Sequence, residues 1–427
     1  MTSSEHVQSY YAATANDATR YPALDGDISV DVCIVGGGFS GVASALTLAE
    51  RGRSVALVEA NRIGWGASGR NGGQVLPAWS GEGEMVRQLG EEASEFLWRT
   101  RYRGNDIVEE RIRKYSIECD YVRGAATVAL KPFQLRALKE EYDEAVAHGH
   151  KDDVKFVEKD GLSAYVGSDM YLGGFIEKRG AHCHPLNLCL GEARAAASLG
   201  AKLFESTRVT EIIHGDKPVV ITDKGRITAN HVILAGNAYT KLEREKLGGY
   251  LLPAQTYVIT TNQLDEATAK EILPQNSGVC DANWVLDYFR LTGDRRLLFG
   301  GRCTYSGREI VDVEGALLPR MKRIFPQLED ARVEHQWGGT IGIILNRVPM
   351  IGRLSPKVFY VQGYSGHGVN CSHIVAEIFS DAIDANAHDA TLFERVSHFR
   401  IPAADVIGSP MLALGMTYYR MKDAIGF

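Results

Sequence analysis

Unbroken apolar runs and stretches of helical spacing alternate in the first part of the chain. Val30–Val35 (VDVCIV) is short, apolar and β-branched, the pattern of a strand buried on both faces. Val42–Arg51 (VASALTLAER) carries helical spacing and stops at Gly52, a residue suited to a helix C-terminus. Ser54–Val58 (SVALV) reads as a second strand and runs into Glu59. Farther on, STRVTEI and HVILAGNAY (His231–Tyr239) read as strands. Residues 85–145 read mostly helical, with apolar side chains spaced among the charges of Glu91–Tyr115. Residues 246–334 read largely as strands, from YVITT, WVLDYFRLT and RRLLFGG. There is no internal repeat and no low-complexity linker. The apolar segment Met411–Asp423 predicts a docked C-terminal helix.

Between the first strand and the first helix lies CIVGGGFSG. Gly36 permits a tight turn, Gly38 lets backbone amides approach a pyrophosphate, and Gly41 lets the helix pack close to the strand. Glu59, eighteen residues beyond Gly41, is placed to bond ribose hydroxyls. Strand, glycine loop, helix, strand and acid together predict a dinucleotide site.

At 427 residues, 45% hydrophobic and 23% charged, the chain has the makeup of a globular protein of two domains. A net charge of −6 gives no footprint for nucleic acid, so a cationic substrate has to be met by local groups. The start MTSSEHVQSYYAATAND lacks the basic and apolar regions of a secretory signal, and no run reaches the roughly 18 apolar residues of a membrane span. Seven scattered cysteines without a C-x-x-C pair fit free thiols. These features predict a cytoplasmic protein without stable membrane insertion.

A second glycine-rich loop, IGWGASGRNGGQ (Ile63–Gln74), follows the acid, where a nicotinamide enzyme would continue its sheet. Its donors suit a bulky, buried cofactor. VGGGFSG, GASGRNGG, HVILAGNAY and GYSGHGVN (Gly363–Asn370) together resemble the FAD-dependent amine and amino-acid oxidases of the D-amino-acid, glycine and sarcosine oxidase type. SYYAATAN, RIGWGASGRNGGQ, QWGGTIGIILNRVPMIGRL, QGYSGHGVN and ALGMTYYRMKDAI are similar to the γ-glutamylputrescine oxidases within that family.

The resemblance implies an α/β fold: a Rossmann-like FAD-binding domain of the glutathione-reductase type and a second, α+β substrate domain on an antiparallel sheet. Residues 1–84, 150–245 and 335–427 would form the FAD domain, with 85–149 and 246–334 as the substrate domain. Gly36, Gly38, Phe39, Ser40, Gly41, Glu59, Ala60 and Arg62 would hold adenosine and pyrophosphate. Ala67, Ser68, Arg70, Asn71, Gly72 and Gly73 would follow the diphosphate to the isoalloxazine, and Val209 would meet the adenine. Gly366, His367, Gly368, Val369 and Asn370 would line the pyrimidine end, where amides at a helix start stabilise the charge of reduced flavin. Neither stretch that carries a covalent flavin link in some relatives offers the His or Cys for it, so the flavin is expected to be noncovalent.

Hydride removal next to nitrogen requires a neutral amine, whose pKa in water is about 10. Desolvation in an aromatic pocket lowers that value, and the flavin supplies the redox chemistry without a catalytic acid–base dyad. The candidate pocket residues are Tyr250, Trp284, Tyr288, Phe289 and Trp337. Arg290 and Arg302 are candidates to hold a carboxylate, and His367 is expected as a flavin neighbour. His182 and His184 in AHCHP have metal-ligand spacing, yet no further Cys/His cluster lies near them in sequence, so they are expected to be structural. The expected activity converts γ-glutamylputrescine or a related N-acylated polyamine to aldehyde, ammonia and hydrogen peroxide, with oxygen as acceptor. Alternatives are an oxidase or dehydrogenase of an amino acid or secondary amine, and a flavoprotein that only binds.

Overall fold

The computed structural model describes residues 4–304 and 310–402, without the side chains of 302–304. The tail segment Met411–Asp423 and the Arg302 side chain therefore lie outside the described residues.

The first apolar run becomes the strand Ile28–Val35, central to an eight-stranded sheet. Val55–Val58 pairs with it on one side and Arg226–Leu234 on the other, both parallel. Lys202–Phe204 and Val358–Gln362 extend the parallel order outward, and Met350–Ser355 closes one edge antiparallel. A ribbon of Val209–Ile213 and Val219–Thr222 joins the start of Arg226–Leu234. Val32, Cys33 and Ile34 are fully enclosed, which explains why the run shows no polar alternation.

The helix after the glycine loop spans Phe39–Glu50, starting three residues before its apolar spacing does. Gly41 conceals that start, because glycine in a helix interior reads as a break. Every residue from Phe39 to Ala49 is buried, the small Ser40, Ser44 and Thr47 among them, so the helix has no face turned to solvent over that stretch. Pro185–Ser198 and Gly368–Ile383 pack directly against it, and Arg103–Tyr115 packs against both of those. Gly52, at φ +74°, follows the helix end as its spacing predicts.

The second sheet has nine strands, with Leu251–Thr261 paired antiparallel to Val333–Ile344 and to Leu297–Thr304. Next come Tyr288–Leu291, Gly278–Asp281, Val122–Ala129, Gly173–His182 and Gln74–Val75. One pair in this sheet, Gly278–Asp281 with Val122–Ala129, is parallel. Sheet membership divides the chain differently from the expected segments. Val154–Glu158, Gly173–His182 and all but the first two residues of Val333–Ile344 fall in segments expected to build the FAD domain, yet they pair into the second sheet. A strand's own pattern sets its pleat, not its partner. The mostly helical reading of 85–145 likewise contains one strand, Val122–Ala129, inserted between two distant partners.

A β-carbon at Gly41 would collide with the Gly36 carbonyl oxygen, which seats the helix directly on the loop. Gly41→Ala is expected to lower stability by about 3 kcal/mol, as overpacking against backbone does. Urea unfolding of the variant beside the parent chain measures the shift in midpoint.

Candidate active site

The site begins where the central parallel strands end. Gly36 has φ +115°, and a β-carbon there would stand 2.8 Å from the Ala235 carbonyl oxygen at the end of the neighbouring strand. Its amide donates to the Val58 carbonyl at 2.9 Å, tying the loop to the strand that delivers Glu59. The Glu59 carboxylate accepts from the amides of Gly37 at 2.7 Å and Asn61 at 2.8 Å. Burial raises its pKa despite those bonds. The helix start faces the same space, and the Phe39 amide donates to Ser68 Oγ at 2.8 Å, so the two glycine-rich loops meet there.

These elements surround a cavity of about 810 Å³. From the first sheet it is lined by Gly36–Ser40, Glu59, Ala60 and Val209, beyond the carboxyl ends of the strands. Ala67, Ser68, Arg70 and Asn71 contribute from the second loop, and Gly366–Val369 from the start of Gly368–Ile383. Cys280, Trp284, Tyr288 and Ile341 line it from the second sheet and its loops. The Tyr288 ring fits because Gly72 and Gly300 leave no side chain in its way.

Five of the expected cofactor residues do not line the cavity. Gly41 packs the helix on the loop, and Gly72 lies against the Tyr288 ring. Gly73, at φ +77°, faces the Cys183 carbonyl and the Arg290 guanidinium. Arg62 is buried beside Glu205, bonded Nε to Oε1 at 2.9 Å, and it also donates to the Thr19 carbonyl. Asn370 donates to the Ala78 carbonyl at 3.1 Å.

Of the expected substrate residues, Trp284, Tyr288 and His367 line the cavity, with Trp284 52% exposed at its mouth. Arg290 is turned away: its guanidinium donates to the carbonyls of Gly72 at 2.6 Å and Leu291 at 3.0 Å, and to Tyr11 Oη at 3.0 Å. Trp337 is buried, its Nε1 donating to the Arg70 carbonyl at 2.8 Å. Phe289 sits in the second sheet's core beside Phe299 and Phe325. Tyr250 lies under the Arg400 guanidinium, 5.8 Å from ring centre to carbon. Alternation puts Arg290 on the same face of Tyr288–Leu291 as Tyr288, but its buried guanidinium is taken up by the Gly72 and Leu291 carbonyls and by Tyr11 Oη.

Trp65, Tyr239, Arg347 and Tyr364 line the cavity without having been assigned roles from sequence. Tyr364 shares a 2.7 Å hydrogen bond with Ser40, linking the two helix starts. Trp65 lies edge-on to Tyr239 and under the Arg70 guanidinium. All four fall inside the motif stretches quoted above, so the motifs marked their neighbourhood and not their function.

His182 donates from Nε2 to the Asn276 carbonyl at 2.7 Å, and His184 accepts at Nδ1 from the Asn187 amide as a helix cap. Burial pushes both to about 3, which keeps these structural imidazoles neutral. Among the described residues no cluster of three or more His, Cys, Asp or Glu side chains is arranged to hold a metal.

The residues present fit a flavin dinucleotide. Arg70 Nη2 and His367 Nδ1 are buried at the cavity without hydrogen-bond partners, and bare glycine backbone cradles its first-sheet end. Burial drives His367 down to about 4, leaving a neutral ring beside the Arg347 charge. Fold and site thus define a dinucleotide-binding α/β oxidoreductase with an antiparallel second sheet.

The family model described as DAO, FAD dependent oxidoreductase, matches residues 31–382. The chain is 40% identical over 425 residues to the γ-glutamylputrescine oxidoreductase of Escherichia coli (strain K12), covering 99% of each protein. It is 36% identical to a probable oxidoreductase, OrdL, of Haemophilus influenzae, covering 98% of each. Glycine oxidase from Geobacillus kaustophilus shares the fold at TM-score 0.72 and 23% identity, over 87% of this chain and 99% of that one. The chain therefore belongs to the DAO family of FAD-dependent oxidoreductases, and FAD is its cofactor.

A β-carbon at Gly38 would meet only the Ser68 hydroxyl, at 2.8 Å, an atom that can rotate away. Gly38→Ala is expected to fold and to be recovered largely without FAD, because the methyl group stands where backbone must approach phosphate. The ratio of flavin to protein absorbance in the purified variant checks this.

Proposed function

We propose that the protein oxidatively deaminates γ-glutamylputrescine or a related N-acylated polyamine. The observation that carries this reading is the charge around the cavity. Among the described residues, Arg70, Arg208, Lys241 and Arg347 line it against a single carboxylate, Glu59, which belongs to the nucleotide loop. Among the described lining residues an entering ammonium meets no carboxylate besides Glu59, and it loses its hydration; both effects favour the neutral amine that must react. Trp284 and Tyr288 offer aromatic surface to the aliphatic chain, and Cys280 and Ile341 keep the wall apolar. Burial pushes the Cys280 thiol up to about 12, so it stays uncharged. Arg290 is committed to backbone carbonyls and Tyr11, so it does not offer an α-carboxylate a bidentate grip. The full-length relative named γ-glutamylputrescine oxidoreductase supports the substrate class.

Bound FAD supplies the acceptance of two electrons from the carbon next to nitrogen. Amide groups at Gly38–Ser40 would hold the pyrophosphate and Glu59 the ribose, with Ala60 and Val209 near the adenosine. Ala67, Ser68, Arg70 and Asn71 would follow the cofactor inward, and Gly366–Val369 would face its pyrimidine edge. The balance is one amine, one oxygen and one water giving aldehyde, ammonia and hydrogen peroxide. We place this chemistry in the cytoplasm; no described helix is long and apolar enough to cross a membrane.

Anaerobic titration with γ-glutamylputrescine is expected to bleach the oxidised flavin bands, with recovery and peroxide on admitting air. Bleaching by glycine or sarcosine instead would move the enzyme to amino-acid or secondary-amine chemistry. A flavin that no amine bleaches would leave a binding protein. The stretches that carry a covalent link in some relatives, GWGASGRN and VEHQWGGTIGIILNRVPMIG, offer no His and no Cys respectively. Acid precipitation is accordingly expected to release all yellow colour to the supernatant; colour in the pellet would mean a covalent link.

A further inference from the structure

The stretch SYYAATAN (Ser9–Asn16) lies ahead of the residues that the family model matches, and among the described residues it adds nothing to the cavity lining. Yet Tyr11 is fully enclosed and Tyr10 is 4% exposed. They open a short helix, Tyr10–Ala13, capped by Ser9 Oγ, which accepts from the Ala12 amide at 3.1 Å. Thr14 Oγ1 then lies 3.0 Å from His184 Nε2, which holds the segment against the start of Pro185–Ser198.

Tyr11 is wedged between that helix start and the second sheet. Its ring meets His184 edge-on at 4.9 Å and Trp337 edge-on at 5.1 Å between ring centres. Its Oη accepts from Arg290 Nη2 at 3.0 Å. Each of these neighbours leads to the second glycine-rich loop. Arg290 Nε donates to the Gly72 carbonyl at 2.6 Å, and Trp337 Nε1 donates to the Arg70 carbonyl at 2.8 Å. The amide of Cys183, next to His184, donates to the Gly73 carbonyl at 2.7 Å. Three loop carbonyls are thus held from behind, two by groups that press on Tyr11 and the third beside one that does.

The loop needs such support. Gly72 and Gly73 in succession leave the backbone more freedom than other residues would, so its conformation has to be fixed from outside. A held carbonyl fixes its whole peptide plane. The planes held by Trp337 and Arg290 lie on either side of Asn71, and Arg70 and Asn71 both line the cavity. Arg70 Nη2 is buried there without a hydrogen-bond partner. We propose that Tyr11 is a positioning residue for this loop: through Arg290 and Trp337 it fixes the peptide planes around Asn71 and holds Arg70 and Asn71 in the orientation that binds FAD. The inference rests on the reading that Ala67, Ser68, Arg70 and Asn71 follow the cofactor inward.

Tyr10 supplies the control. Its Oη donates to Asp294 Oδ1 at 2.8 Å, so it anchors the same segment to the second sheet through a carboxylate, which cannot donate to a loop carbonyl. The test compares FAD affinity, by fluorescence titration, and the visible circular dichroism of the bound flavin in Tyr11→Phe and Tyr10→Phe. Tyr11→Phe keeps the ring and removes the hydroxyl; it is expected to weaken FAD binding about tenfold and to change the dichroism. Tyr10→Phe is expected to lower Tm and to leave both readouts as in the parent. Equal effects in the two variants, or none in Tyr11→Phe, overturn the proposal, because a segment that only staples the fold would single out neither tyrosine. Where Tyr11→Phe does not fold, hydrogen exchange of the parent protein with and without added FAD decides, since coupling between two sites is reciprocal. FAD is expected to slow exchange at Ala12–Thr14 more than in Val313–Ile324, which packs in the second sheet's own core. Equal slowing in both, or none, overturns the proposal. Arg70→Ala tests the underlying reading: parent-like FAD affinity there would defeat that reading, whereas weakened binding there beside a parent-like Tyr11→Phe overturns the proposal alone.

Discussion

The site depends on how closely one helix approaches one strand. Gly41 lies against the Gly36 carbonyl with no room for a β-carbon, and Gly36 lies against Ala235 in the same way. These contacts start the helix Phe39–Glu50 at the strand's end and aim its first amides into the cavity. Backbone amides carry no charge that could be neutralised, so only closeness and orientation make them useful to a phosphate. The helix in turn is packed against two others, and its burial leaves little room for it to shift.

Electrostatics adds a second layer to that geometry. Among the described residues the cavity lining carries several cations and one acid, while buried carboxylates such as Glu205 and Glu192 are paired with Arg62 and Arg111. Buried pairs of this kind contribute little net stability, but they fix side chains in one arrangement. Arg62 shows the effect: its charge anchors the segment entering the second glycine-rich loop and never reaches the cavity. A site with a surplus of positive charge disfavours a protonated amine and favours an anionic cofactor, so one arrangement serves both demands.

Two sheets contribute to the same space, and each brings a different kind of surface. The parallel sheet supplies backbone groups and one acid at its strand ends, and the second sheet supplies aromatic and apolar side chains. Tyr288 enters only because Gly72 and Gly300 lie on either side of its ring. The backbone-rich and the aromatic parts of the lining thus come from different parts of the chain.

The glycine spacing, the apolar strand runs and Glu59 are local facts, and they determined the nucleotide site and the α/β class without reference to the rest of the chain. Backbone conformation and periodicity depend on neighbours in sequence, so such features are legible there. What Arg62, Arg290 and Trp337 do was not legible, because a side chain's partner is chosen by packing across long separations. Arg290 finds Tyr11 and Gly72, and Trp337 finds Arg70, only once the sheets are assembled. The same reason moved Val154–Glu158, Gly173–His182 and Val333–Ile344 into the second sheet.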